Sequence, residues 1–476
     1  MLKYNFRYEF KLLIRSRWLQ VLSLVLFVLV GFSVLNGKDK IEKRERIIAD
    51  AELEVEKSDA MMLKLIDSVT QGFSVSAPSW TIPTNPIAVG NYHPRIASMK
   101  PTSLSFVATG QSDLFTSYVK PTVSGDDFAL NFSEMSSPIQ LLFGSFDLAF
   151  VIVFLLPLLI IAFSYDVFSL EKERGSLRLL AAQPIAIHSW LLQKLSLRFF
   201  WISILFLLIT TFIVYLTGVD IIDEPLSYFS LLLLALVYML FWFVMVFLVN
   251  LWIGNSSKNA VALIGLWVIF VLLIPSVINQ MGSTFYPMPS RTLLINEMRV
   301  KKIEVSKKQD EILDNFLRDH PEYAINDRSQ SRSFYHRYMA SQELVKEELS
   351  PIVNRFEEQL QKQQILVDRL KWISPALIIQ EALNKLAGNS SSDYESFRFQ
   401  AIAFAETWRE HLMPFLYNNR DFTSEDYMNL PKFEMNRIKN KPSTAILPLL
   451  TISLFLLGIG FFLSKTGYKR FNIINE

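Results

Sequence analysis

The chain of 476 residues is 51% hydrophobic and 13% aromatic with 19% charged residues, too apolar for an ordinary soluble enzyme and too charged to lie wholly within a bilayer. A formal net charge of +2 gives no basis for nucleic-acid binding, so charge carries meaning only as local asymmetry across a membrane. The absence of cysteine removes disulfides, thiolate metal sites and cysteine nucleophiles.

At the start of the chain Lys3, Arg7, Lys11 and Arg15 recur at every fourth position beside Tyr4, Phe6, Tyr8, Phe10, Leu12, Leu13 and Trp18. This pattern predicts a cytoplasmic interfacial helix over residues 1–17, its basic stripe toward anionic headgroups. A positive-inside anchor and a direct contact to an energy-supplying partner both fit it. One crossing of the hydrocarbon takes about 20 apolar residues. Runs of that size lie near 18–36, 146–165, 197–217, 228–253, 259–281 and 444–464, which predicts six transmembrane helices. The first is followed by a charged helix and no small-residue cleavage site, so it is expected to be a retained span.

Lys and Arg near the span ends set the expected orientation. The basic residues before the first span, Lys172, Arg174, Arg178 and Lys194 between the second and third, and Lys465, Lys469 and Arg470 in the tail 465–476 all belong inside. The loop holding Asp220, Asp223 and Glu224 has no basic residue and fits the outer side. Both termini are then cytoplasmic, in a bacterial inner membrane, and residues 37–145 and 282–443 form two extracytoplasmic insertions large enough to fold as domains. The expected fold class is a mainly α polytopic membrane protein.

In the first insertion Ile41, Ile48, Val55, Met62 and Val69 recur every seventh residue, a narrow apolar seam on a charged stalk helix. From Gln71 to Pro138 seven prolines forbid long helices and predict a loop-rich cap with little β, short strands being expected at Ser103 to Ala108 and Asp127 to Phe132. The second insertion is predicted mostly helical: Arg291 to Leu317, Asp327 to Leu349, Pro351 to Ile373 capped by Ser350, Pro375 to Ala387 capped by Ser374 and ended by Gly388, and Asp393 to Tyr417. His93, His320, His336 and His411 have no second histidine at ligand spacing, so no metal chemistry is expected of them.

Asp147 is the outstanding charge in the spans. Near the outer end of the second span it is expected to contact the adjoining insertion, in preference to relaying protons. Pro157 and Pro275 are expected to kink the second and fifth spans. Asn255 to Lys258, between the fourth and fifth spans, carry no recognisable motif.

The segment 164–194 interrupts the apolar runs with an amphipathic stretch. Glu171, Lys172, Glu173 and Arg174 cluster about one turn before Leu177 and Leu180, with Gly175 and Ser176 between them and Gln183 and Pro184 closing the stretch. An interfacial helix, anchored by the leucines and solvated by the charges, is the plain reading. The run SLEKERGSLRLLAAQPI also resembles the cytoplasmic segment of ABC-2-type transporter permeases, with Glu171, Lys172, Glu173, Gly175, Ser176, Leu177, Leu179, Leu180, Gln183 and Pro184 at the matching positions. Gly110 to Leu114, Pro138 to Phe154, Leu155 to Tyr165 and Ser374 to Gly388 further resemble a branch of these permeases known mainly as a domain of unknown function, with two insertions flanking the central spans.

The resemblance implies a coupling helix at 164–194 that docks on an ABC ATP-binding subunit, with Glu171 to Arg174 as the docking face. It also implies a second permease subunit, identical or related. The chain has no P-loop of its own. Gly460 to Thr466, GFFLSKT, lacks the glycine before the lysine and is one residue short. ATP and Mg are therefore expected on the partner, and no cofactor on this chain. The implied function is a non-catalytic permease subunit that couples ATP binding and hydrolysis to export or mechanical work. A membrane scaffold or receptor whose outer helices bind a protein is the alternative. An intramembrane enzyme fails on inventory, since neither HExxH nor GxSxG occurs.

Overall fold

A computed structural model of the chain describes residues 10–73 except 12, 81–110, 112, 116–123, 146–175, 187–218, 224–287, 291–307, 318, 334–418, 420–437 and 443–467. Helix dominates. Apolar runs of 20 residues or so satisfy their backbone groups internally only as helices, and among the described residues six helices are long and apolar enough to cross a membrane. They are α1 (Arg17–Thr70), α3 (residues 148–164), α5 (Ile187–Leu216), α6 (Pro225–Trp252), α7 (Ser256–Phe285) and α13 (Ser443–Gly467). Between α3 and α5 lies the short α4 (Ser169–Glu173). The rest of the described helices belong to the insertions: α2 (Pro86–Tyr92), α8 (Arg291–Ser306), α9 (Phe334–Leu370), α10 (Pro375–Leu386), α11 (Ser391–Tyr417) and α12 (Ser424–Met428).

α6 is the central post of the bundle. Tyr238, Phe241, Trp242, Val246 and Phe247 on it are buried, and α5, α13, α3 and α10 pack around it. Span and stalk form one continuous helix in α1, about 80 Å long at 1.5 Å per residue. Along the predicted seam Ile48 and Met62 are buried and Ile41, Val55 and Val69 half-buried, with Ala51 and Ile66 completing the contact face.

The two insertions do not fold separately. Met62 and Ile66 of α1, Ile87 and Val89 of α2, Val123, and Trp408, Leu412 and Leu416 of α11 share one core with Phe422, Tyr427 and Leu430. Polar ties cross it as well: Trp408 Nε1 donates to Gly90 O at 3.2 Å, and Tyr427 donates its hydroxyl to Asp59 at 2.8 Å while Arg95 pairs with the same carboxylate. Burial pushes the Tyr427 phenol up, and Asp59 adds to the shift. Tyr394, half-buried in the same body, is pushed up to about 12 by burial.

Two local expectations change. The run Ser103 to Ala108 is not a strand; its turns bury Leu104, Phe106, Val107 and Ala108 between α1, α3 and α10, an outcome that a short apolar run leaves open. The strands among the described residues are β1 (Ala97–Ser98) and β2 (Tyr118–Val119), antiparallel, while Asp127 to Phe132 lie outside the described residues. The Ser350–Pro351 pair does not start a helix, since α9 runs through it. One missing N–H costs less than separating α9 from α8, where Val345 and Leu349 are buried along with Val305. Ser374 does cap α10, accepting from Leu377 N at 3.4 Å, and Gly388, at φ +66, ends it.

Pro157 and Pro275 each follow a π-helical turn, Val151–Leu155 in α3 and Val268–Leu273 in α7. Ile274 N bonds to Ile269 O, and Pro275, next in that register, has no N–H for Phe270 O. An orphaned carbonyl inside an apolar bundle is expensive. Ser374 Oγ supplies the donor to Phe270 O at 2.6 Å, and at the π turn of α3 neighbouring helices add donors, Trp267 Nε1 to Phe154 O at 3.1 Å and the Tyr238 hydroxyl to Val153 O at 3.0 Å.

Candidate functional site

The site stands at the pole of the bundle opposite the insertions. α3 loses its regular course after Ser164, runs through a turn at residues 165–168 and resumes as α4. No proline or glycine lies in Ser164 to Ser169, so local propensity does not dictate the break. Two buried asparagines hold it. Asn250, near the end of α6, accepts Phe168 N at 3.2 Å on Oδ1 and donates from Nδ2 to Val246 O at 2.9 Å and Ser164 O at 3.4 Å. Asn259, in the first turn of α7, donates to Tyr165 O at 3.0 Å, Asn250 Oδ1 at 3.2 Å and Ser169 Oγ at 3.3 Å. The amides thus replace bonds that a continuous helix would make to itself.

α4 is also tied through its charges. Glu173 accepts Ser256 N at 2.8 Å and Ser256 Oγ at 3.0 Å, a carboxylate on the positive end of α7. Ser169 and Ser256 share a hydroxyl contact of 2.9 Å, and Asn255 accepts Lys258 N at 3.1 Å as the helix cap. Glu171 pairs with Lys194 of α5 at 2.8 Å, and the ammonium lies 4.5 Å from the centre of the Trp190 ring. One turn further along α5, Arg198 bonds Phe163 O and lies 3.9 Å from Asp166. Gly175, at φ +75, closes α4 in a conformation that L side chains resist, its N–H on Lys172 O at 3.1 Å.

Of the predicted docking residues, Glu171 and Glu173 face this chain's own helices. Glu173, Lys172 and Arg174 are all exposed, the end of the Lys172 side chain lying beside Gly254. Ser176, Leu177 and Leu180 lie outside the described residues, as do Gln183, Pro184 and residues 1–9 of the predicted N-terminal helix. Where that segment becomes described, Leu13 is buried and Phe10 packs edge-on against Trp201 of α5. The functional residues that motif reading missed are Asn250, Asn259 and Ser256. A lone amide inside an apolar run was the available signal for Asn250, whereas Asn259 follows the polar stretch Asn255 to Lys258 and offered none.

At the far pole Asp147 caps α3 through Phe150 N at 2.8 Å and accepts Thr109 N at 2.9 Å and Thr109 Oγ1 at 3.0 Å. This is the expected contact to the insertion. Lys38 donates to Thr217 O, which puts the end of α5 at the same pole as both insertions. Among the described residues no group of three His, Asp or Glu side chains is placed to hold a metal.

Fold and site together define a mainly helical, membrane-embedded protein with six candidate spans. Within it, residues 291–436, most of the second insertion, match a domain of unknown function, DUF3526. No curated protein and no solved structure matches the chain.

Proposed function

We propose that the chain is the permease subunit of an ABC-2-type transporter in a bacterial cytoplasmic membrane, with both termini cytoplasmic. It pairs with a second permease subunit and couples ATP binding and hydrolysis on a separate ATP-binding subunit, which carries the ATP and Mg, to export or mechanical work. The observation that supports this reading is the attachment of α4 to three spans at once: α5 through Lys194, α6 through Asn250, and α7 through Ser256 and Asn259. A force applied to a five-residue helix held in this way is delivered to half the candidate spans.

The test is co-expression with candidate P-loop ATPases, any encoded beside this gene first, followed by co-purification and stimulation of ATPase activity. The double variant Lys172→Glu/Arg174→Glu reverses the exposed basic charges and leaves the bonds of Glu171 and Glu173 in place. It is expected to abolish stimulation with the fold retained, and Glu171→Lys/Glu173→Lys is expected to abolish it and destabilise the fold. Binding and stimulation that survive both changes overturn the assignment of the coupling segment. If the chain purifies with an extracytoplasmic protein and never with an ATPase, the scaffold or receptor reading replaces it.

A further inference from the structure

We propose that the turn between α9 and α10, residues 371–374, is immersed in the lipid leaflet on the insertion side, with Trp372 and Ile373 against acyl chains. The second insertion then carries a re-entrant helical hairpin and is held by the bilayer as well as by protein. This rests on the membrane-embedded reading of the six helices and not on the ATPase partnership.

Depth is set by one hydrogen bond. Ser374 is fully buried and its hydroxyl donates at 2.6 Å to Phe270 O, so the turn lies level with that carbonyl. α7 has 30 residues, about 45 Å at 1.5 Å per residue, and Phe270 lies about 21 Å from its Ser256 end. A hydrocarbon layer of about 30 Å placed anywhere along a helix of about 45 Å includes that point. Tilt only lengthens the immersed stretch. If the layer begins at Lys258, the last charged residue at that end, it ends near Ile278, and Ser374 lies about 12 Å beneath its surface.

The side chains around the turn suit that depth. Ala376, Ile378, Ile379 and Leu383 of α10 are buried in the same core as the spans. Trp372 and Ile373 face outward at 46% and 53% exposure, and Leu272 and Leu273 of α7 are exposed as well. Lys371, the charged residue of the turn, pairs with Asp368 at 2.9 Å and Glu381 at 2.8 Å, both further along their helices toward the insertion body, as a lysine that snorkels would.

The chain has no cysteine, so single cysteines can be spin-labelled without background in the full chain in lipid nanodiscs. Labels at Trp372→Cys and Ile373→Cys are expected to collide with oxygen several-fold more readily than with a water-soluble nickel chelate, as does a Leu273→Cys label. A Thr407→Cys label, at an exposed position of α11, is expected to show the reverse. Should the Trp372 label prefer nickel while the Leu273 label prefers oxygen, the re-entrant turn is wrong and the membrane reading stands. Nickel preference at both positions overturns the membrane reading too, and a Trp372 label shielded from both probes means that protein, such as a second copy, covers the turn. Quenching by brominated lipids avoids cysteine substitution: the native chain must lose more tryptophan emission than Trp372→Phe, and equal quenching overturns the proposal.

Discussion

Replacing Asn250 by leucine tests whether the break between α3 and α4 is built by the bundle. The substitution keeps the number and branching of the side-chain heavy atoms and removes four hydrogen bonds: those to Phe168 N, Ser164 O and Val246 O, and the one from Asn259 Nδ2. Val246 O retains its helical geometry, and Asn259 retains Tyr165 O and Ser169 Oγ. The uncompensated losses are therefore Phe168 N and Ser164 O, in an enclosed site. A buried polar group left unpaired costs about 1–3 kcal/mol, while hydrogen bonds within membrane bundles average nearer 0.6 kcal/mol. The expected destabilisation is about 2–4 kcal/mol. The assay is reversible denaturant unfolding in mixed micelles followed by tryptophan emission, with Asn259→Leu and the double variant completing the cycle. Non-additivity of about 0.5–2 kcal/mol is expected, because the two amides share a bond. An Asn250→Leu chain within about 0.5 kcal/mol of the native one, or strict additivity in the cycle, refutes the reasoning.

Three further outcomes are expected. Gly37→Ala puts a methyl group well within van der Waals contact distance of Phe106 O, with the Phe106 backbone behind it, so α1 and the 102–109 loop must separate. A cost of about 1–3 kcal/mol and faster proteolysis in the first insertion are the readouts, and a variant as resistant as the native chain contradicts the close approach. Asp147→Ala leaves Thr109 N and Phe150 N without their acceptor, a loss of about 2–4 kcal/mol in the same unfolding assay. Asp147→Asn, which keeps a cap for Phe150, is expected to lose less. His93 gives the insertion body a pH dependence: burial lowers its pKa and Asp59 opposes the shift, while Ser58 contacts Nδ1 at 3.0 Å and Arg95 and Tyr427 share the Asp59 carboxylate. The folded value lies below the unfolded one, so the neutral ring contributes stability present above about pH 6.5 and lost as pH falls through the folded value. The melting temperature is expected to drop on acidification through that window, and more gently for His93→Gln; equal slopes exclude the imidazole as the source.

Sequence alone determined what depends on periodicity and on neighbours close in the chain. Apolar runs of about 20 residues specify spans because a bilayer offers the backbone no other partner, so the six helices were legible without a fold. Ser374 before Pro375, and Gly388 after the helix, act within a single turn, so the bounds of α10 were legible too. Even Asp147 was legible, since a carboxylate at the end of a span needs nearby donors. What tertiary structure decided is the pairing of distant groups. Ser350 and Pro351 carry the same local cap signal as Ser374 and Pro375, yet α9 continues because α8 packs across the junction. Asn250 and Asn259 are ordinary polar residues in the sequence and become the fastening of α4 only where α6 and α7 meet α3. The candidate docking face divides in the same way: Glu171 and Glu173 cannot be told from Lys172 and Arg174 by spacing, and only Lys194 and Ser256, brought in from two other helices, engage the acids, half-burying Glu171 and pinning Glu173 at the surface.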